Sequence, residues 1–212
     1  MSKVIDLPAL AALLKEAASR WSRHSEEIGR LDAAIADGDM GVTVELGSKA
    51  MIEYLSGPPE EDIGKLLMKC GMQVNKASPS TFGTLLASAF MEAGKAVQGR
   101  KEIGIDDLAL LGKSAVEGIQ KRGKAQAGEK TMLDALIPAV EAFGKALESG
   151  SESRQAIDSA IVASKAGMEA TVNMKAKYSR ASYRPDGGVG VQDAGATAMY
   201  YLIEALGQSS VA

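Results

Sequence analysis

Three aspartates crowd into eight residues early in the chain: Asp32, Asp37 and Asp39, in the run Leu-Asp-Ala-Ala-Ile-Ala-Asp-Gly-Asp-Met-Gly. Such carboxylates repel one another unless solvent or a cation intervenes. Mg²⁺ is the natural cation, because it takes oxygen ligands in octahedral geometry and shares them with waters and phosphates. A helix ending near Asp32, followed by a turn through Gly38, would aim all three at one point. Turn formation and capping are the alternative, since Asp-Gly pairs serve turns without any metal. The spacing is not that of an EF-hand, and neither a Walker A loop nor a strand-linked GxGxxG occurs.

Any phosphate must therefore be held by helix N-termini, whose first amides lack partners. Gly41-Val42-Thr43 opens a helix directly after the carboxylates, and Ser78-Pro79-Ser80-Thr81 opens another. In the second, Ser78 reads as N-cap and Pro79 as the first helical residue. Gly123 to Asp134 is a connector with two glycines and basic residues, among them Lys124 and Lys130. Arg180 stands at the entrance of a glycine-rich loop, 181–192, and Asp193 would cap the helix that follows. Each of these also has an ordinary reading as a cap, a connector or a solvated arginine. Lys130 and Arg180 are the candidate cations for a polyphosphate.

The reactive inventory is sparse, with one histidine, His24, and one cysteine, Cys70. That excludes a Cys/His zinc site and a disulfide framework. His24 falls in an amphipathic stretch and reads as a solvated helix residue. A net charge of −3 argues against nucleic-acid binding. There is no signal-peptide pattern and no long apolar run, so a cytoplasmic protein without a membrane segment is expected.

Only 3 Phe, 5 Tyr and 1 Trp accompany many alanines and 23 glycines, which disfavours sheet and suits closely approaching helices. Apolar periodicity and caps predict eight helices, at about 6–31, 41–54, 60–74, 78–93, 106–124, 133–147, 151–177 and 193–206. Their short connections make neighbours antiparallel. The expectation is an all-α, single-domain barrel or bundle of eight antiparallel up-and-down helices spanning 1–212.

Taken together and in order, LDAAIADGDMG, NKASPSTFG, RGKAQAGEKTMLDAL, RASYRPDGG and QDAGAT resemble the nucleotide-binding (DhaL-type) subunit of dihydroxyacetone kinase, over about 31–206. The resemblance implies a barrel of eight antiparallel helices with ADP or ATP at one end. It implies that Asp32, Asp37 and Asp39 hold two Mg²⁺ ions bridging the phosphates. Nucleotide contacts would come from Met40, Gly41, Val42, Thr43, Ala77, Ser78, Gly123, Met132, Arg180, Asp193, Ala194 and Gly195. A separate subunit would bind the ketone covalently through its own histidine, leaving this chain without a catalytic residue. In one branch of the family ATP is used directly, and in the other a phosphotransferase-system protein re-phosphorylates bound ADP. A homodimer is compatible with the resemblance. So is the alternative function of a non-catalytic ADP-binding module that docks on a regulatory protein. The chain departs from many bacterial members in having Met40 for His, Thr43 for Asn, Pro79 for Gly and Ala194 for Pro, and Thr43 occurs in ATP-using relatives.

Overall fold

Asp6 accepts the amide of Ala9 at 2.9 Å and Pro8 fits the first turn, so the chain enters helix α1 (Leu7–Ser22) almost at once. The computed structural model describes residues 4–209. After α1 come α2 (Ser25–Ile35), α3 (Met40–Leu55), α4 (Ile63–Ala77), α5 (Thr81–Ala96), α6 (Ile105–Gly123), α7 (Leu133–Glu148), α8 (Ser153–Ala170) and α9 (Ala194–Ser209). Two-residue strands β1 (Ile5–Asp6) and β2 (Glu102–Ile103) pair antiparallel, with Ile5 opposite Ile103.

From α3 onward each helix packs on the next, α1 packs on α3, and α9 closes the ring against α1. Eight staves thus alternate up and down, as the sequence predicts. The predicted first helix, however, is two. Arg23 and His24 donate their amides to the carbonyls of Arg20 and Trp21, a tighter turn than the α-helix allows. Trp21 is fully buried with its indole N–H on the carbonyl of Ala198 at 2.8 Å, and the His24 ring stacks on Tyr201 with centroids 3.6 Å apart. These anchors halt the helix. α2 then leaves the ring and packs on the start of α3, where a Cβ on Gly41 would come within 2.3 Å of the Ser25 carbonyl.

Small residues let the staves approach. A Cβ on Gly64 would lie 2.5 Å from the Gly94 carbonyl oxygen, and one on Gly94 would lie 2.6 Å from that of Gly64, so α4 and α5 meet backbone to backbone. The barrel interior is apolar. A partly open cavity of about 300 Å³ lies towards the β1–β2 end, walled by residues such as Leu14, Phe90, Phe143 and Leu206.

Two other boundaries differ from expectation. α8 stops at Ala170 rather than near Lys177, followed by a 3₁₀ turn over Thr171–Asn173. The Thr171 hydroxyl donates to the Met168 carbonyl at 2.6 Å and accepts the Asp193 amide at 2.9 Å, which ties the helix end to the start of α9. The N-cap of α5 is Ser80, whose hydroxyl accepts the Gly83 amide at 3.0 Å. Ser78 instead terminates α4, its amide on the Val74 carbonyl, and Pro79 precedes the cap.

Candidate functional site

Alternation of the staves gathers four connections at the end away from the β-pair: 36–39, 78–80, 124–132 and 171–193. The first turns of α3, α5, α7 and α9 open there, bringing four positive dipole ends to one region, where the sequence suggested two. The last turn of α2 carries Asp32. Gly38 at φ +79 then reverses the chain over Ala33, a conformation suited to glycine, and returns Asp37 and Asp39 beside it. One carboxylate oxygen from each of Asp32, Asp37 and Asp39 lies within 4.8 Å of the others.

Asp32 is buried and accepts the Met40 amide at 3.3 Å. Burial raises its carboxyl above the usual range, and the charges of Asp37 and Asp39 push the same way against the Met40 and Gly38 amides. The arrangement is therefore a concentrated negative charge built only of oxygen donors. That donor set fits Mg²⁺ and offers nothing to a thiophilic metal. A cation in contact is present in the protein itself, because Arg180 Nη2 lies 2.9 Å from Asp37 Oδ2.

Beside the carboxylates, the Ser78 hydroxyl donates to Thr43 Oγ1 at 3.0 Å, and the Thr43 hydroxyl donates to Ser80 Oγ at 3.1 Å. This chain links the α3 and α5 starts. The Ser78 hydroxyl is thus engaged by Thr43 and does not cap α5. Ala77 is its neighbour in the last turn of α4, Gly41 is buried against α2, and Val42 is exposed at 55 %.

A second group sits across α7 and α9. Gly195 is packed where a Cβ would meet Asp193 Oδ2 at 3.0 Å and the Met132 amide nitrogen at 3.5 Å, with Ala194 buried alongside. Asp193 caps α9 as expected, accepting the Ala196 amide at 2.7 Å. Gly123 lies at the same end but apart, at the close of α6 against Leu85, before Lys124 in the left-handed conformation at φ +64.

Lys130 is not free to serve as the polyphosphate cation the sequence suggested. It is 1 % exposed, and its Nζ donates to the carbonyls of Thr171 at 2.5 Å and Val191 at 2.6 Å. It clasps the two feet of the last connection. Asp134 braces the neighbouring turn, accepting the Gly128 and Thr131 amides at 2.5 and 2.6 Å. The spacing Thr131-x-x-Asp134 is a capping-box signal that would have found it.

Burial pushes the Asp193 carboxyl up to about 7, opposed by the Ala196 amide and Lys130 and aided by Asp134 and Asp32. The folded value exceeds the unfolded 3.8, so folding takes up a proton between the two. Stability of the metal-free protein is therefore expected to fall as pH rises through that window, by up to ~1.4 kcal/mol per pH unit. Thermal unfolding at about pH 5 and pH 7.5 checks this. The unaltered protein should melt lower at the higher pH, and Asp193→Asn should lose most of the difference.

Residues 34–208 match the DAK2 domain family. The chain is 30% identical over 186 residues to the ADP-binding subunit DhaL of the PEP-dependent dihydroxyacetone kinase of Escherichia coli (strain K12), covering 88% of this chain and 89% of that one. It is 32% identical over 179 residues to the ADP-binding subunit DhaL of the PTS-dependent dihydroxyacetone kinase of Lactococcus lactis subsp. lactis (strain IL1403), covering 84% and 85%. Against human triokinase/FMN cyclase it is 29% identical over 198 residues, which is 93% of this chain and 34% of that one. Its fold is that of the dihydroxyacetone kinase of C. freundii, with a TM-score of 0.73 at 23% identity, over 95% of this chain and 34% of that one. The same kinase in complex with AMP-PNP and Mg²⁺ gives a TM-score of 0.72.

Proposed function

The chain belongs to the DAK2 domain family, and from that premise we propose that it is the nucleotide- and Mg²⁺-binding subunit of a dihydroxyacetone kinase, passing phosphate from bound ATP to a short-chain ketose held by a separate subunit. The observation that carries this reading is the meeting of three carboxylates within 4.8 Å beside the first turn of α3. The Escherichia coli and Lactococcus lactis relatives are ADP-binding subunits, which supports it.

Phosphoryl transfer asks a protein for position and charge neutralisation more than for covalent chemistry. Two Mg²⁺ ions held by Asp32, Asp37 and Asp39 would draw charge from the phosphate oxygens. The amides at the starts of α3 and α5, with the hydroxyls of Ser78 and Thr43, would cradle the phosphates. Met132, Ala194 and Gly195 would line the nucleotide on the other side, with Gly123 behind. ATP at about −4, three carboxylates and two Mg²⁺ leave roughly −3. The α3 and α5 N-termini at about half a charge each, plus Arg180, offset roughly +2, since Asp134 and Asp193 already occupy the starts of α7 and α9. The general base for the acceptor hydroxyl would come from the ketone-binding subunit. No helix among the described residues is long and apolar enough to cross a membrane, and we place the reaction in the cytoplasm.

A coupled assay with the ketone-binding subunit tests the proposal. One arm offers ATP, the other a phosphotransferase-system donor and ADP-loaded protein. Turnover in either arm is expected and identifies the donor. Failure of both, with nucleotide still bound, would favour the non-catalytic ADP-binding module.

A further inference from the structure

The connection between α8 and α9 is fastened at its base, and its tip is held by Ala181 buried against Ile35, by the Lys177–Glu129 ion pair and by an exposed pair at Arg180. At the base the Gly190 amide donates to the Val172 carbonyl at 2.7 Å, the Ala176 amide donates to the Gly187 carbonyl at 2.9 Å, and Lys130 takes the Val191 carbonyl. At the tip Arg180 Nη2 meets Asp37 Oδ2 at 2.9 Å, with the arginine side chain 69% exposed. The residue before it, Ser179, lies at φ +64 and ψ 176, a region in which essentially only glycine is at ease. The guanidinium is thus delivered to Asp37 against a backbone cost. An isolated exposed ion pair contributes little. This one is different, because Asp37 shares its 4.8 Å neighbourhood with two more carboxylates, and the arginine offsets part of a threefold charge.

We propose that Arg180 is a displaceable counter-cation: it and a divalent metal compete for Asp37, so that metal entry unlatches the loop tip and lets Ser179 relax. The inference rests on the metal-binding reading above. Its physical basis is that a guanidinium and a divalent ion at one carboxylate repel each other, whereas either alone relieves the three aspartates. Apparent metal affinity is then lowered by the latched fraction, as for any ligand that binds a single state of a two-state equilibrium. Backbone strain at Ser179 biases the equilibrium towards release.

The test uses Mn²⁺ alone as the probe, followed through the paramagnetic signal of the free ion, with no nucleotide present. Arg180→Gln is expected to bind Mn²⁺ about threefold to tenfold more tightly than the unaltered protein. Ser179→Gly removes the strain of the latched form and is expected to weaken binding by about threefold or more. That weakening should vanish when Arg180→Gln is also present, since no latch then remains to be favoured. Saturating Mn²⁺ should speed amide hydrogen exchange over 179–184 in the unaltered protein and leave it unchanged in Arg180→Gln. Equal Mn²⁺ affinity of Arg180→Gln and the unaltered protein would overturn the latch while the metal site stands. So would an effect of Ser179→Gly that is the same in both backgrounds, or exchange insensitive to Mn²⁺. Absence of Mn²⁺ binding in every variant would overturn the latch, and absence that persists with ADP added would overturn the metal reading as well.

Discussion

Asp37→Asn is expected to remove Mg²⁺-dependent nucleotide binding, with affinity falling at least about 100-fold, since even residues one step removed from a metal are worth 10–100-fold. The fold should not notice. Asp37 is exposed and its ion pair is with Arg180, so no buried group is stranded by the change. Stability should shift by less than about 0.5 kcal/mol, and the helical circular dichroism should be unchanged. Asp32, relieved of one neighbouring charge, should ionise more readily. Calorimetric titration with ADP in the presence and absence of Mg²⁺ measures the effect. Undiminished affinity in Asp37→Asn would sink the assignment of these aspartates to metal. Asp32→Asn is a poorer probe, because Asp32 is buried and also holds the Met40 amide, mixing ligand loss with local rearrangement.

The second large effect is on stability. Lys130→Met keeps the apolar stem of the side chain and deletes the ammonium, and it is expected to cost about 2–5 kcal/mol, since two buried carbonyls lose their donor at about 1–3 kcal/mol each. Packing is nearly conserved, so the cost is polar. The carbonyls of Thr171 and Val191 lose their donor, and Asp193, which the Lys130 charge helps to ionise, faces Asp134 and Asp32 without it. Denaturant unfolding gives the magnitude. Hydrogen exchange should locate the loosening in 171–193 rather than in α4 or α5. A loss below about 1 kcal/mol would mean that water replaces the ammonium at both carbonyls, and that the clasp is dispensable.

What could be read from the sequence follows the range of the forces involved. The carboxylate turn was legible because its determinants are local: Asp-Gly at the bend and a helix on either side. The stripe of α7, with Leu133, Leu136 and Val140 at helical spacing, was legible for the same reason. The break before α2 was not, since no glycine or proline marks it. Its cause is Trp21 reaching Ala198 and His24 lying on Tyr201, contacts across most of the chain. Ser78 and Ser80 are equally good caps in isolation, and the choice between them is made by Thr43, which draws the Ser78 hydroxyl away. Lys130 reads as a solvated cation because nothing nearby in sequence supplies its two carbonyls, which arrive from 41 and 61 residues downstream. The pairing of Arg180 with Asp37 spans the chain in the same way.

The number of staves has a topological consequence. An even count of antiparallel passes returns the chain to the side from which it set out. α1 rises from the β-pair, and α9 descends to where Gly207 abuts Ile157 and Ile161, near the start of α8. Both extremities of the described chain therefore lie on the face opposite the carboxylates. A tag, a surface tether or a covalently joined neighbour can be attached at either extremity without crowding the mouth of the site. The same parity suits the human and C. freundii relatives, in which the matching region makes up about a third of a longer chain.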